Sequence, residues 1–223
     1  IATANIDISV GSGMALAAMI FALTISAGLH PVLAFLITLI VGGFFGWICG
    51  VLVAKYDIQS MIVTMAMMSI LRGIAKGMYG GSTVMFKNDF LSTLSYYRIG
   101  DVIPVHVVIM LIIFAILWFV VEETRYGTYV EAVGNNPKAA GISGVSVSGI
   151  LISVYVISAL LAVIAGVEQG IMVMQADSSN IGLTKEFDAI AATVVGGTPM
   201  SGGKANLTGA LFAALLLQLI NMM

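Results

Sequence analysis

The sequence predicts an all-α membrane protein, a polytopic transmembrane helical bundle with broken or re-entrant helices. Of its 223 residues, 60% are hydrophobic and only 9% are charged, whereas about a quarter of the residues in a soluble domain are charged. No Asp, Glu, Lys or Arg occurs from Ile8 to Ala54, which is room for two helices across a bilayer core of about 30 Å. Near the other end, an apolar run too short to cross stops at paired glycines, which indicates a helix broken at membrane depth.

The charge balance and the single cysteine exclude several classes of function. The chain has 9 Lys and Arg against 11 Asp and Glu, so we expect no nucleic-acid partner, which would require a clustered basic surface. Cys49 is the one cysteine, so neither a disulfide framework nor a Cys-rich metal site is predicted. The sequence has no Gly-x-x-x-x-Gly-Lys-Ser/Thr phosphate-binding loop. We therefore expect no metal and no cofactor in this chain.

The first two predicted spans cover residues 8–27 and 32–54. Gly28, His30 and Pro31 separate them, because Pro cannot continue a helix and Gly tolerates the turn. Both spans have the length that a bilayer core requires.

The next stretch is less regular. Residues 58–71 form an uncharged run at a length where an interfacial or broken helix competes with a full span. Arg72 and Lys76 can extend this run if their charged ends reach the interface. Residues 77–101 have no clear helical period, so they are predicted to form an extramembrane loop.

The second half of the chain alternates apolar and polar stretches. Spans are predicted over residues 105–121 and 145–167, with a polar connection at 124–144 between them and a polar stretch at 168–188 after them. Two apolar runs follow, residues 189–195 and 205–223, and the first is too short to cross. A re-entrant or discontinuous helix is predicted between them, with the break at Gly196, Gly197, Gly202 and Gly203.

Three spans carry small residues at every fourth position. The stripes are Gly42, Gly46 and Gly50; Ala162, Gly166 and Gly170; and Ala205, Gly209 and Ala213. Small residues let membrane helices approach backbone to backbone. We favour packing within the chain over dimerisation of subunits, and either predicts a compact bundle.

The polar connection contains the signals of a short helix of its own. Asn136 can cap it, Pro137 suits its first position, and Gly141 or Gly144 can end it. Such a helix between two spans is either a compact plug for a partner's groove or a plain interfacial helix.

Four segments carry a resemblance to a known family. They are residues 5–12 (NIDISVGS), 62–64 with 72–73 (IVT and RG), 124–144 (TRYGTYVEAVGNNPKAAGISG) and 186–203 (EFDAIAATVVGGTPMSGG). In order and spacing they resemble permease subunits of bacterial monosaccharide ABC transporters, the ribose, xylose and arabinose type. The match extends along essentially the whole chain.

The resemblance implies that residues 1–223 form a single transmembrane permease domain that lacks helices at both ends. It implies a multi-pass protein of the bacterial inner membrane, with residues 124–144 as a cytoplasmic coupling loop. Charge alone does not decide this orientation, because Lys and Arg are almost evenly divided between the two sides. The residues implied to couple to the ATPase are Glu131, Gly134, Asn135, Asn136, Pro137, Lys138, Ala139, Ala140 and Gly144.

The resemblance also implies the partners and the division of labour. Two permeases, a second copy or a sister chain, would pair within membrane lipid and bind cytoplasmic ABC ATPases. A periplasmic sugar-binding protein would deliver the sugar. ATP and Mg would be used by the ATPase, so this chain would be a non-catalytic translocation subunit.

Five residues are candidates for the substrate pathway: Asp7, Ser9, Thr64, Glu168 and Asp188. Asp7 and Glu168 lie at predicted span boundaries, where we favour a place in the interface over the pathway. Asp188 precedes a short apolar run, and we favour a carboxylate that caps the helix over a gate contact. The Thr64 hydroxyl is of the kind that more often bonds backbone in membrane helices.

Three other functions compete with the sugar importer. A branched-chain amino acid permease shares the glycine-rich segment, although residues 5–12 favour sugar. A secondary transporter would need an ion site within the membrane, and the sequence places no charge inside a predicted central span. A membrane enzyme would need a nucleophile, a base and an orienting group, and His30 and His106 are predicted to be isolated.

Overall fold

The computed structural model describes residues 1–100 and 102–222. Asp101 and Met223, where a predicted loop and the last predicted apolar run end, lie outside the described residues. The helices are α1 (Val10–Ser26), α2 (Pro31–Tyr56), α3 (Ser60–Gly77), α4 (Asp89–Tyr96), α5 (Val105–Glu122), α6 (Arg125–Asn135), α7 (Pro137–Ile142), α8 (Val147–Val173), α9 (Lys185–Val195) and α10 (Leu207–Asn221). The short strands are β1 (Val84–Met85), β2 (Arg98–Ile99), β3 (Ile103–Pro104) and β4 (Gln175–Ala176). The all-α prediction is confirmed.

The centre of the bundle is α1, which packs against α2, α3 and α8. Ala15, Met19 and Phe21 on this helix are almost completely buried. The Phe21 ring meets Phe86 edge to face, with 6.0 Å between ring centroids. Small and flexible apolar side chains suit a helix that has neighbours on every side.

The closest helix pair is α2 with α8, and glycines make it possible. A Cβ at Gly46 would lie 2.8 Å from the carbonyl oxygen of Tyr155, and one at Gly50 would lie 2.7 Å from the Cα of Ile152. Similarly, a Cβ at Gly166 on α8 would overlap the backbone of Met14 on α1. The prediction that these stripes pack within the chain is therefore confirmed.

Three helices are long and apolar enough to cross a membrane, namely α2, α5 and α8, as judged over the described residues. The apolar helices α1 and α10 are shorter. None of the described residues of α5 is buried, which suits a helix whose surface is covered by lipid. The predicted run at 58–71 became α3, which continues six residues past Leu71 to Gly77.

Two predictions about polar stretches are wrong. Residues 77–101 contain the helix α4, capped by the Asn88 side chain, which accepts from Leu91 N at 3.2 Å; β1 in the same stretch pairs antiparallel with β4. The span predicted to end at residue 167 continues as α8 to Val173. Glu168 therefore lies inside a helix, where it has a partner that is distant in sequence.

The predicted helix break is confirmed as a helix–turn–helix unit. The helix α9 has 11 residues and ends at Gly196, and α10 then packs back against it. A Cβ at Gly209 would overlap the carbonyl oxygen of Gly196. Three glycines of the connection, Gly197, Gly202 and Gly203, have positive φ, a backbone conformation that favours glycine.

Candidate functional site

The connection between α5 and α8 folds into two helices that form a platform at one end of the bundle. Asn136 caps α7 by accepting a hydrogen bond from Ala139 N at 3.1 Å, and Pro137 occupies the first turn. Gly144 follows with φ of 86°, so the predicted start and stop of α7 are confirmed. The helix α6 was not predicted. We name α6 and α7 together the coupling platform.

The coupling platform is fixed to the bundle through Tyr126. Its hydroxyl lies 2.8 Å from Ser153 Oγ on α8. Burial raises the pKa of the Tyr126 phenol above its ordinary value, and the bond to Ser153 offsets part of the rise. Because the phenol stays protonated at neutral pH, this link between α6 and α8 persists over the physiological range.

The exposed face of the platform is on α7. Lys138 and Ala139 are exposed, and Ile142 has 90% of its surface accessible. Ala140, between them, is buried against the bundle. An isolated, fully accessible isoleucine beside a lysine gives this helix one apolar and one charged contact point outside the bundle.

The side of the platform that is formed by α6 is hydrogen-bonded to the connection between α9 and α10. Glu131 Oε1 accepts from Ala205 N at 2.9 Å, and Asn135 Nδ2 donates to the Gly203 carbonyl at 3.2 Å. Gly203 N in turn donates to the Ala2 carbonyl at 2.8 Å. Three segments that are far apart in sequence therefore meet at α6: the N-terminal residues, α6 itself and the connection between α9 and α10.

Gly134 allows this contact. A Cβ at Gly134 would overlap the Ala2 carbonyl oxygen and would lie 2.6 Å from Gly203 N. Both are backbone atoms that cannot rotate away. Of the residues predicted to couple to an ATPase, Glu131, Gly134 and Asn135 thus face the helix break, whereas Lys138 and Ala139 face outward.

Asp7 and Ser9 form the entry to α1. Asp7 Oδ1 accepts from Ser9 N at 2.9 Å and from Ser9 Oγ at 2.6 Å, and its Oδ2 accepts from Ser158 Oγ on α8 at 2.8 Å. Both carboxylate oxygens are thus hydrogen-bonded. Asp7 connects the start of α1 to the middle of α8.

The Thr64 side chain is completely buried. Its hydroxyl donates to the Ser60 carbonyl at 2.9 Å and lies 3.4 Å from the Ile6 carbonyl. It is therefore bonded to backbone, as hydroxyls in membrane helices commonly are.

Glu168 has a partner on another helix. Its Oε1 lies 3.1 Å from His106 Nδ1, near the start of α5. The prediction that His106 is isolated is therefore wrong. The same pair places an ionisable carboxyl within α8, five residues before its last residue, Val173.

Asp188 lies in the first turn of α9 but does not cap it. The N-cap position belongs to Thr184, whose side chain makes no capping bond. Asp188 Oδ2 instead lies 2.8 Å from Lys185 Nζ. Backbone carbonyls accept from N–H groups of the first turn instead: Lys185 N donates to the Gly182 carbonyl at 3.4 Å and Phe187 N to the Thr184 carbonyl at 3.0 Å.

Two charged side chains make contacts that sequence reasoning did not predict. Arg72 was expected to reach for the interface, but its guanidinium donates to the Ser178 and Ile181 carbonyls at 2.9 and 2.8 Å. It thereby holds the segment that leads from β4 into α9. Lys185 was not considered, although a lysine beside an apolar run is a signal that could have identified it.

A bundle of apolar helices, of which three among the described residues are long enough to cross a membrane, is typical of an integral membrane protein. The family model described as branched-chain amino acid transport system / permease component matches residues 1–223. The chain belongs to this family of permease components and is an integral membrane protein.

Curated relatives match nearly the whole chain. The ribose import permease protein RbsC of Haemophilus influenzae is 38% identical over 223 residues, which cover 98% of this chain and 68% of that protein. The galactofuranose transporter permease protein YtfT of Escherichia coli is 36% identical, with 99% of this chain and 64% of that protein covered. The fructose import permease protein FrcC of Rhizobium meliloti is 34% identical, with 97% and 62% covered. No solved structure matches.

Proposed function

We propose that this chain is the permease subunit of a bacterial ABC importer that moves a monosaccharide across the inner membrane. In this proposal a periplasmic binding protein delivers the sugar, a cytoplasmic ATPase hydrolyses MgATP, and a second copy or a sister permease completes the pathway. The names of the relatives, which are permeases for ribose, galactofuranose and fructose, support a monosaccharide as the substrate. The chain is then a multi-pass, non-catalytic translocation subunit formed by one domain, residues 1–223.

The observation that carries the proposal is the contact between the coupling platform and the helix break. α7 presents Lys138 and Ile142 to the outside, while α6 is hydrogen-bonded through Glu131 and Asn135 to the backbone of residues 203–205. In this proposal a partner that moves α7 acts on α6 and on the connection between α9 and α10. This gives a physical link between an outer docking surface and the two helices on either side of the break.

Transport requires two arrangements of the bundle, one open to each side. ATP binding and hydrolysis in the partner would bias the choice between them, because the partner binds the two arrangements with different affinity. The permease needs no reactive group of its own for this. Its contribution is a set of helices that can repack and a surface through which the partner ATPase acts on them.

Reconstitution with matched charge reversals tests the docking surface. The complete permease is assembled with its ATPase, and the affinity between them is measured for Lys138→Glu and for Lys87→Glu. Lys87 is exposed but follows β1, on the opposite end of the bundle from α7. We expect Lys138→Glu to weaken binding about fivefold, since an exposed charge pair is worth up to about 1 kcal/mol, and Lys87→Glu to bind as wild type. Equal affinities for the two variants would contradict the assignment of α7 as the docking helix.

A branched-chain amino acid permease is the second candidate, and one observation favours it. The family model that matches residues 1–223 is described as a branched-chain amino acid transport system / permease component. ATP hydrolysis by the reconstituted complex decides between the two, with the binding protein loaded in turn with ribose, fructose or leucine. Stimulation by a sugar-loaded protein supports the importer of monosaccharides, and stimulation by leucine alone would replace it.

A further inference from the structure

The largest of the described cavities lies between α8, α9 and α10 and has a volume of about 690 Å³. This volume falls within the range of about 300–1,000 Å³ that is typical of ligand cavities. Most of its wall is apolar, with alanines and leucines from all three helices. Six polar residues contribute to the rest of the wall: Ser158 on α8, Lys185, Asp188 and Thr193 on α9, and Gln218 and Asn221 on α10.

The length of α9 leads us to place the cavity near the middle of the membrane. α9 has 11 residues, so it is about 16 Å long at 1.5 Å per residue. Its C-terminal end joins the connection that is bonded to α6. Lys185, at its N-terminal end, is therefore roughly half of a 30 Å bilayer core away from the coupling platform. Gly182, just before α9, lies against Gly11 in the first turn of α1. A charged pair at this depth marks a substrate pathway when it lines a cavity.

The amides on α10 point to the same conclusion. Gln218 and Asn221 are three residues apart, so they lie on one face of the helix, and both line the cavity. Leu219, on the other side, has 65% of its surface exposed away from it. Neither amide side chain makes a hydrogen bond to another described residue. Both residues are exposed, so their amides are open to water or to a polar ligand in the cavity.

We propose that this cavity is the sugar-binding site of the transport pathway, with Asp188 and Lys185 on one wall and Gln218 and Asn221 on the other. The inference rests on the proposed function and adds the place where the sugar is held. A monosaccharide has hydroxyls around its edge and apolar C–H groups on its faces. It therefore matches a cavity with two polar walls and alanine and leucine between them.

The charge pair selects a neutral ligand. Lys185 and Asp188 are 2.8 Å apart and neutralise each other, yet the ammonium keeps two further N–H donors and the carboxylate keeps free lone pairs. Adjacent hydroxyls of a sugar can donate to the carboxylate and accept from the ammonium without separating the pair. A zwitterionic amino acid would have to separate it first, which costs the pair's own interaction.

Uptake by proteoliposomes that contain the complete permease, its ATPase and its binding protein tests this assignment. Radiolabelled ribose and fructose are supplied separately, and sugar imported per ATP hydrolysed is measured for wild type, Asp188→Asn, Gln218→Ala and Leu219→Ala. We expect Asp188→Asn to lower this yield about tenfold, as expected for the loss of one charge-assisted hydrogen bond. Gln218→Ala should change the ratio of ribose to fructose imported about threefold or more. Leu219→Ala, on the same helix but facing away, should behave as wild type.

The outcomes separate the two proposals. If wild type imports sugar but Asp188→Asn and Gln218→Ala match it in yield and in ratio, the cavity assignment is overturned and the proposed function stands. If wild type imports leucine and neither sugar, the proposed function fails, and the sugar site with it. If Asp188→Asn does not assemble with the ATPase, Gln218→Ala decides, because a side chain that makes no hydrogen bond within the fold can be removed without loss of structure.

Discussion

Replacement of Gly134 with alanine tests whether the helix break must be bonded to α6 for transport. The new Cβ would overlap the Ala2 carbonyl oxygen and lie 2.6 Å from Gly203 N. Since both neighbours are backbone atoms, the N-terminal residues and the connection between α9 and α10 must move away from α6. The variant thus separates the coupling platform from α9 without altering any charge.

The expected loss of stability follows from the bonds that this movement breaks. They are Gly203 N to the Ala2 carbonyl, Asn135 to the Gly203 carbonyl, and Ala205 N to the Glu131 carboxylate. A neutral hydrogen bond contributes about 0.5–1.5 kcal/mol and one to a charged group about 1.5–3 kcal/mol. Alanine in a helix recovers about 0.5–1 kcal/mol relative to glycine. We therefore expect the free energy of unfolding to fall by about 2–5 kcal/mol.

Thermal unfolding in detergent and sugar uptake in proteoliposomes measure the two consequences. Gly134→Ala should unfold at a lower temperature and should hydrolyse more ATP per sugar imported than wild type. The matched control is Gly73→Ala, since Gly73 is also within a helix but a Cβ there would meet nothing within 4 Å. Wild-type stability and wild-type uptake in Gly134→Ala would refute the idea that α6 transmits movement through this contact.

Three further substitutions test other contacts. Gly46→Ala should destabilise the bundle by about 1–3 kcal/mol, because α2 and α8 must separate. Gly43→Ala should be tolerated, because its Cβ would meet only a side chain, at 3.4 Å. Equal melting temperatures for the two variants would contradict this difference. Arg72→Leu should increase proteolysis of the segment before α9, which loses two hydrogen bonds, and Arg72→Lys should restore protection only in part; unchanged proteolysis in Arg72→Leu would show that the guanidinium does not hold the segment. Glu168→Ala should lower the thermal stability more than Glu168→Gln, since only the amide can still bond His106; a smaller effect of alanine would argue against the pair.

The bilayer makes some of this fold predictable. The length of a membrane-spanning helix is fixed by the hydrocarbon thickness, so α2 and α5 begin and end within two residues of their predicted bounds. Helix capping can also be predicted from the sequence, because Asn136 and Pro137 act within the first turn of the helix that they begin. The small-residue stripes predicted close packing, but the sequence did not say which helices would meet.

Pairs that are distant in sequence could not be predicted. His106 and Glu168 are 62 residues apart, and Arg72 is 106 residues from Ser178. Each residue looked like a solitary polar group at a span boundary, and only the fold reveals that it turns inward. The helix α6 was missed for a different reason. Its buried residues Gly127, Val130, Val133 and Gly134 have helical spacing, but two of the four are glycines, which gives a weak apolar pattern.

On the side of the connection between α9 and α10, the bonds to α6 and to the N-terminal residues use only main-chain atoms: the N–H and C=O of Gly203 and the N–H of Ala205. The neighbouring side chains of Met200, Ser201 and Lys204 are exposed and take no part. Evolution can therefore change these side chains while the attachment stays intact. Related permeases can have differently shaped or charged surfaces at this connection over the same main-chain linkage.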